Sequence, residues 1–492
     1  MTTSVSSPEV SSLEIERVET APPQIVGQLP HRVPHTLASR FVFLNICLAI
    51  VLSALAFGTV HSWAMALFTL GALVTIVLWI LDGLRLGWLR ISRNALQLPL
   101  LGMLALGLIQ LLPFRQPAAA GVLTVPGVKS LSLDPYATTM VVLQVAALLI
   151  YFSATLVFTD TPHRLRLLVR TITIFGFFLA VFGLTQSFAS PTRVLWVREL
   201  AQSTAFGPFI NRHHFAGYME LTLGLALGLL FAGALEKEKR FIYIFAALLM
   251  GIALIMTGSR GGIISLIAEI LFLLAFTGFR RRRRHEKEPK TGRIRRAGLR
   301  TALALVLIIS LFAGVVLFGG EAALSRFAGT VNMDDPTTGR AHFWSVTLDI
   351  IKAHPVVGAG LGAFPVIYTR YDSRNGTHRL EQAHNDYLQV LSDGGIVGAV
   401  LALGFVIMLF RMGFARRESR DGFRSGVALG ALAGCFAVLV HSFFDFTLHI
   451  TANALLFLVL AALATMNGRV EEPSSRRRRR RSHSNAQSPG LP

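Results

Sequence analysis

Apolar runs of membrane-spanning length recur along most of this chain, and nothing else in it limits the possible folds so sharply. A helix rises ~1.5 Å per residue and bilayer hydrocarbon is ~30 Å thick, so about 20 apolar residues make one crossing. Spans read at Phe41–Thr59, Ser62–Leu81, Ala95–Leu112, Ala137–Phe158, Leu167–Phe188, His213–Leu235, Phe241–Met256, Arg260–Gly278, Leu299–Gly319, Gly394–Met412, Ser425–Phe444 and Thr451–Asn467. They predict an all-α integral membrane protein of about 12 transmembrane helices, with a long, partly helical loop between the ninth and tenth. Composition agrees: only 15% of the 492 residues are charged, where a soluble domain carries roughly a quarter. No signal peptide is expected, because the first 40 residues are polar. Cys47 and Cys435 both fall inside apolar runs and read as small core residues, not as a disulfide or a metal pair.

The formal charge of +20 is unevenly distributed, and the distribution sets the orientation, because positive loops stay cytoplasmic. With the N-terminus inside, the inside segments hold 35 of the 47 Lys and Arg, and every one of them is basic. Both termini are then cytoplasmic. The runs Arg280–Arg284 and Arg476–Arg481 anchor topology and meet anionic headgroups. Neither has the aromatic interleaving or surrounding fold of a nucleic-acid reader, so no nucleic-acid partner is expected. The chain divides into a disordered cytoplasmic tail (1–40), helices one to nine (41–319), an outer loop (320–393), helices ten to twelve (394–468) and a basic cytoplasmic tail (469–492).

The outer loop carries the polar residues. Ala341–Ala353 reads as an amphipathic helix with Phe343, Val346, Ile350 and Ile351 on one stripe, suited to lying on the membrane surface. Gly358–Gly362 lacks dinucleotide spacing and follows no predicted strand. A second helix is expected over Leu380–Ser392, stacking Leu380, His384, Leu388 and Leu391 and ending at Gly394-Gly395.

Three residues stand out. Arg260, in Thr257-Gly-Ser-Arg-Gly-Gly262, lies at the outer end of a span, where the charge bias disfavours it. Arg340 precedes the surface helix, and His384 lies on the apolar stripe of the second helix. Singly, each has an ordinary explanation: a snorkelling side chain, a solvated cap, a hydrogen-bonded core histidine. Together they form a chemical inventory. Guanidinium forks bind phosphate bidentately, and a neutral histidine takes a proton from an attacking hydroxyl near neutral pH. Placed on one side, near the interface, they suit a lipid-linked phosphate or diphosphate. Arg212, His213 and His214 also lie outside, but adjacent histidines point apart on a helix and chelate poorly. Without HExxH, paired Cys or Asp-X-Asp, and with Asp334-Asp335 reading as a solvated loop, no metal is expected. Glu220 and Glu269 lie within spans, where acids are expensive. They support a rival class, an ion-coupled secondary transporter, although no internal repeat accompanies them.

The segments Gly207–Glu220, Thr257–Ile264, Gly339–Pro365, Gln382–Gly398 and His441–Leu448 resemble the O-antigen ligase and O-antigen polymerase superfamily of bacterial polytopic membrane proteins. The likeness covers roughly Arg212 to Asn467. It implies an inner-membrane glycosyltransferase that passes a glycan from undecaprenyl diphosphate to a hydroxyl on the periplasmic face. The acceptor would be lipid A core, another glycan or, as in protein O-oligosaccharyltransferases, a protein side chain. It implies catalytic roles for Arg260, Arg340 and His384, with Arg212 a less secure diphosphate ligand, and chemistry that is inverting and free of metal or other cofactor.

Overall fold

The computed structural model describes residues 35–113, 130–190, 192–199, 206–284, 298, 305, 309, 340–373, 380–416, 419 and 421–466. Its elements are helices, apart from an antiparallel pairing of Arg193–Val194 with Arg198–Glu199. In chain order these are α1 (Leu37–Leu55), α2 (Ser62–Leu86), α3 (Gln97–Gln110), α4 (Pro135–Phe158), α5 (Pro162–Ala189), α6 (Arg212–Ala232) and α7 (Lys237–Met256). Then come α8 (Arg260–Arg284), α9 (Arg340–Ala353), α10 (Phe364–Tyr371), α11 (Asp386–Arg416), α12 (Gly422–His441) and α13 (Thr451–Thr465). Nine are long and apolar enough to cross a membrane, and α3 and α13 are shorter apolar helices. They correspond to eleven of the twelve expected spans, with ends moved by a few residues. Apart from Leu305 and Ile309, the remaining one, Leu299–Gly319, lies outside the described residues, as do Asp334-Asp335, residues 1–34 and the C-terminal tail, whereas Leu37–Arg40, expected at the end of the disordered N-terminal tail, form the first turn of α1. The chain is a multi-pass, all-α integral membrane protein.

Several helix starts follow from short local signals. Asp134 and Thr161 each accept a hydrogen bond from the backbone N–H three residues on, and each is followed by a proline. Proline in the first turn costs nothing, since its missing N–H has no helical partner there. Asn211 caps α6 by accepting from His213 N, and Asp421 caps α12 by accepting from Phe423 N and Arg424 N.

Helices α6 and α12 form the inner pair of the bundle. In their spanning windows 94% and 83% of residues are buried, against 22% for the peripheral α2. Their close approach is built from glycine. A Cβ on Gly228 would lie 2.2 Å from Gly430 Cα, and one on Gly224 would lie 2.6 Å from Gly434 N. Small residues spaced four apart let two backbones touch where lipid offers no hydrophobic drive to associate. This contact brings Glu220, one turn from Gly224, level with His441 at the end of α12.

Two readings of the outer loop need correction. The expected helix Leu380–Ser392 begins only at Asp386. Asn385 Oδ1 accepts from the N–H groups of Tyr387 and Leu388, at 3.0 and 3.1 Å, and so caps the helix there. His384 therefore lies before the helix and not on its stripe. Nor does the helix stop at Gly394-Gly395. It is interrupted at Gly395 (φ 60°) and continues to Arg416. The break is filled by the chain from Pro355 to Gly360. Ile396 and Val397 N–H donate to the carbonyls of Pro355 and Val356, and Ala359 and Gly360 N–H donate to those of Ser392 and Asp393. A Cβ on Gly395 would lie 2.3 Å from Val356 O, so both the positive φ and the crowding require glycine. Gln110 of α3 secures the crossing, its amide donating to Val357 O and Asp393 O and accepting from Leu361 N.

Helix α9 matches its expected span within a residue. Its stripe, however, covers protein and not bilayer: Val346 and Ile350 pack with Ala359, Phe364, Ile367, Tyr368 and Ala383 in a separate small core.

Candidate active site

The N-termini of α6 and α8, the C-terminus of α12 and the turn from Ser442 to Ile450 meet at one end of the bundle, beneath the loop ahead of α11. Two staples hold that loop down. Asp386 N–H donates to Ser442 O, and its carboxylate accepts from Ser442 Oγ (2.7 Å), Leu448 N (3.1 Å) and His449 Nδ1 (2.6 Å). Asn385 Nδ2 donates to Phe443 O, while Trp344 Nε1 donates to Ala383 O. Burial lowers the affinity of His449 for its proton, but the hydrogen bond to Asp386 and the charges of Asp386 and Asp393 outweigh it and hold the imidazole above its ordinary value.

Between these staples His384 is held with φ 51°, in the left-handed region that costs a non-glycine residue of order 1–3 kcal/mol. The ring lies between Phe343 and Phe446, with centroids 6.1 and 4.9 Å away. Its Nδ1 is 3.0 Å from Asp445 Oδ1. An ionised carboxylate only accepts, so Nδ1 carries the proton and Nε2 presents its lone pair to the site.

Asp445 is the hub. It is 1% exposed, and its Oδ1 also accepts from Phe446 N at 2.9 Å. Its Oδ2 has no hydrogen bond among the described residues but lies 3.9 Å from Arg340 Nη2. Burial would raise this carboxyl, yet the hydrogen bond from His384 and the nearby His213, His384 and His214 hold it well below the usual carboxylate range.

The structure thus brings His384 and Arg340 together through Asp445, a residue that sequence reasoning did not single out. Arg260 and Arg212 reach the same end by a different route. Arg260 opens α8, flanked by Ser259, whose hydroxyl lies 2.8 Å from His213 Nδ1 and 3.4 Å from His441 Nε2. On its other side Gly261 packs against the His441 ring, where a Cβ would meet Cδ2 at 2.7 Å. Arg212 lies at the start of α6 beside His213, and its Nη1 would be 3.9 Å from a Cβ on Gly258. The adjacent histidines do point apart: His213 faces Ser259, whereas His214 packs on Phe446 at 4.7 Å.

Potential ligand atoms of His213, His441 and Asp445 lie within 4.8 Å of one another. No sequence motif announced this set. One atom of each already has a partner: His213 Nδ1 in Ser259, His441 Nδ1 in Glu220 at 2.8 Å, and Asp445 Oδ1 in His384. With the Arg340 guanidinium 3.9 Å from Asp445 Oδ2, a second positive centre there would meet direct repulsion. We read the three as a hydrogen-bonding network.

The arrangement combines an oriented base, a buried carboxylate and guanidinium groups, which suits proton abstraction beside an anionic ligand. No curated protein matches the chain. The model of the O-antigen ligase family matches residues 245–403, a stretch containing Arg260, Arg340 and His384 but not Arg212, His441 or Asp445. Over residues 245–403 the chain is thus similar to the O-antigen ligase family, which supports its resemblance to the O-antigen ligase and polymerase superfamily.

Proposed function

We propose that this protein is a glycosyltransferase of the bacterial inner membrane, with both termini cytoplasmic, moving a glycan from undecaprenyl diphosphate to a hydroxyl on the periplasmic face. The observation that carries the reading is the Asp445 carboxylate, which orients His384 through one oxygen and faces Arg340 with the other. His384 Nε2 takes the proton of the acceptor hydroxyl as its oxygen bonds to the anomeric carbon. The bond from that carbon to the diphosphate oxygen breaks on the opposite face, so the centre inverts. Arg340 and Arg260, with Arg212 beside them, meet the charge that grows on the departing diphosphate. They stabilise it more in the transition state than in the ground state. The lipid diphosphate is an activated donor, so this chemistry needs neither a nucleotide nor a metal. Lipid A core, a second glycan and a protein side chain would each use the same residues and differ in how the acceptor is held.

The test is transfer by the purified protein in detergent, from a lipid diphosphate glycan, with EDTA present. Wild type should transfer, and His384→Ala should bind the donor while transferring almost nothing. Full transfer by His384→Ala, or complete dependence on added divalent metal, would sink the reading.

A further inference from the structure

Glu220 and His441 are buried on the two innermost helices, and the transfer step above uses neither. His441 Nδ1 lies 2.8 Å from Glu220 Oε1. On the far side of the ring, Nε2 faces Ser259 Oγ at 3.4 Å, and that hydroxyl lies 2.8 Å from His213 Nδ1. His213 is half-buried and opens towards Asp445, so the series runs from the bundle interior to the site.

The direction of these hydrogen bonds follows from proton counting. Apolar surroundings favour a pair of zero net charge over a lone ion. In a neutral Glu220–His441 pair one proton lies between Oε1 and Nδ1, and Nε2 is protonated whichever partner holds it. Nε2–H then donates to Ser259 Oγ. Gly262 N–H also donates to that oxygen, at 3.2 Å, so the hydroxyl proton turns to His213 Nδ1. His213 is left with its own proton on Nε2. Each link donates towards the site.

We propose, resting on the transferase reading, that Glu220, His441, Ser259 and His213 form a proton relay serving the departing diphosphate, opposite in sense to His384. As the anomeric carbon–oxygen bond breaks, the released phosphate oxygen takes the Nε2 proton of His213. His213 Nδ1 takes the Ser259 hydroxyl proton, and Ser259 Oγ takes the Nε2 proton of His441. The Glu220–His441 pair is left with one negative charge, and His384 holds the acceptor's proton as a positive one. Return of that proton to the pair through the open site resets the protein, and no outside reactant is consumed. Glu220, His441 and Ser259 act through His213, the member that would touch the diphosphate.

The test uses the full chain in detergent with an undecaprenyl diphosphate glycan and saturating acceptor. Glu220→Gln keeps the side-chain shape and removes the proton store. Turnover should fall by about 10²-fold or more, with donor KM and melting temperature near wild type. Ser259→Ala should fall similarly, and the double variant should be no worse than either alone, because both interrupt one path. His213→Ala should regain turnover on addition of free imidazole, which can supply the missing proton donor and which a packing role would not produce. Wild-type turnover in Glu220→Gln and Ser259→Ala overturns the relay, as does a loss confined to donor KM, or a His213→Ala variant that imidazole leaves unchanged. Full turnover by His384→Ala would instead remove the transferase reading on which the relay rests, so the two failures are distinguishable.

Discussion

His384 Nδ1 and Asp445 Oδ1 lie 3.0 Å apart although 61 residues separate them in the chain. Their pairing makes the state of His384 depend on a carboxylate from another part of the bundle. Asp445→Asn keeps the shape but can offer an amide N–H where an acceptor stood, which turns the imidazole to the wrong tautomer. Turnover should fall by about 10²–10⁴-fold, while binding of the lipid-linked donor changes little. Equal turnover in wild type and Asp445→Asn would separate the pair from the chemistry.

Arg340 should not tolerate lysine. Its Nη2 lies 3.9 Å from Asp445 Oδ2, which leaves the rest of the fork for a phosphate. An ammonium keeps the charge and loses the planar, bidentate geometry. Arg340→Lys and Arg260→Lys should each lower kcat/KM for a diphosphate donor by at least ~10-fold, about the worth of one charge-assisted hydrogen bond. Steady-state kinetics with a defined donor would measure this, and unchanged kcat/KM in both variants would argue against diphosphate contact.

The His449–Asp386 bond, at 2.6 Å, gives a stability signature with a definite sign. The His449 imidazole is held above its ordinary value, so its contribution is complete below the unfolded value of ~6.5 and is lost as pH rises through the folded one. A hydrogen bond to a charged group is worth about 1.5–3 kcal/mol. Melting of wild type and His449→Gln in detergent should therefore differ most below about pH 6.5 and converge at higher pH. A gap that widens with pH would refute the assignment.

The helix contact at Gly228 predicts a sharp size limit. A Cβ there would meet Gly430 Cα at 2.2 Å, backbone against backbone, whereas a Cβ on Gly404 meets nothing within 4 Å. Gly228→Ala should destabilise by 1 kcal/mol or more, the range of ~1–3 kcal/mol for overpacking. Gly404→Ala should be neutral or slightly stabilising, since glycine within a helix costs ~0.5–1 kcal/mol relative to alanine. Thermal melting of the two variants decides it, and a fully stable Gly228→Ala would contradict the close approach of α6 and α12.

These contrasts mark what was legible before the fold was known. Spanning helices depend on the length and polarity of local runs, so eleven of them could be read directly. Leu380, His384 and Leu388 keep helical spacing, yet α11 begins only at Asp386. Asn385 caps the backbone there, and an Asn ahead of an apolar run is the local signal for a helix start. Glu220 stood out as a costly acid, but its partner His441 lies 221 residues away, and no local period reports such a distance. Asp445 was hidden for the same reason, inside a segment noticed only for its resemblance. The candidate residues were found by their chemistry, whereas their geometry depends on long-range contacts between helix ends.

Glu269 separates the transferase from its rival, an ion-coupled transporter. It is fully buried in α8, and neither carboxyl oxygen has a hydrogen-bond partner among the described residues. Glu220 is its charged neighbour, and acids within spans are a common feature of proton and ion pathways, so this residue favours transport if anything does. In the proposed reaction it touches neither donor nor acceptor, and it lies behind Gly224, where a Cβ would be 2.7 Å from its Oε1. Glu269→Gln preserves that packing and removes the titratable proton. If the protein is a transferase, Glu269→Gln should keep at least about a tenth of wild-type glycan transfer, because packing is retained and only an uncompensated buried polar group changes. Arg260→Ala should abolish transfer. Proteoliposomes carrying a pH-sensitive dye supply the other half of the comparison. Proton or ion flux that survives Arg260→Ala and vanishes in Glu269→Gln would establish transport and displace the enzyme.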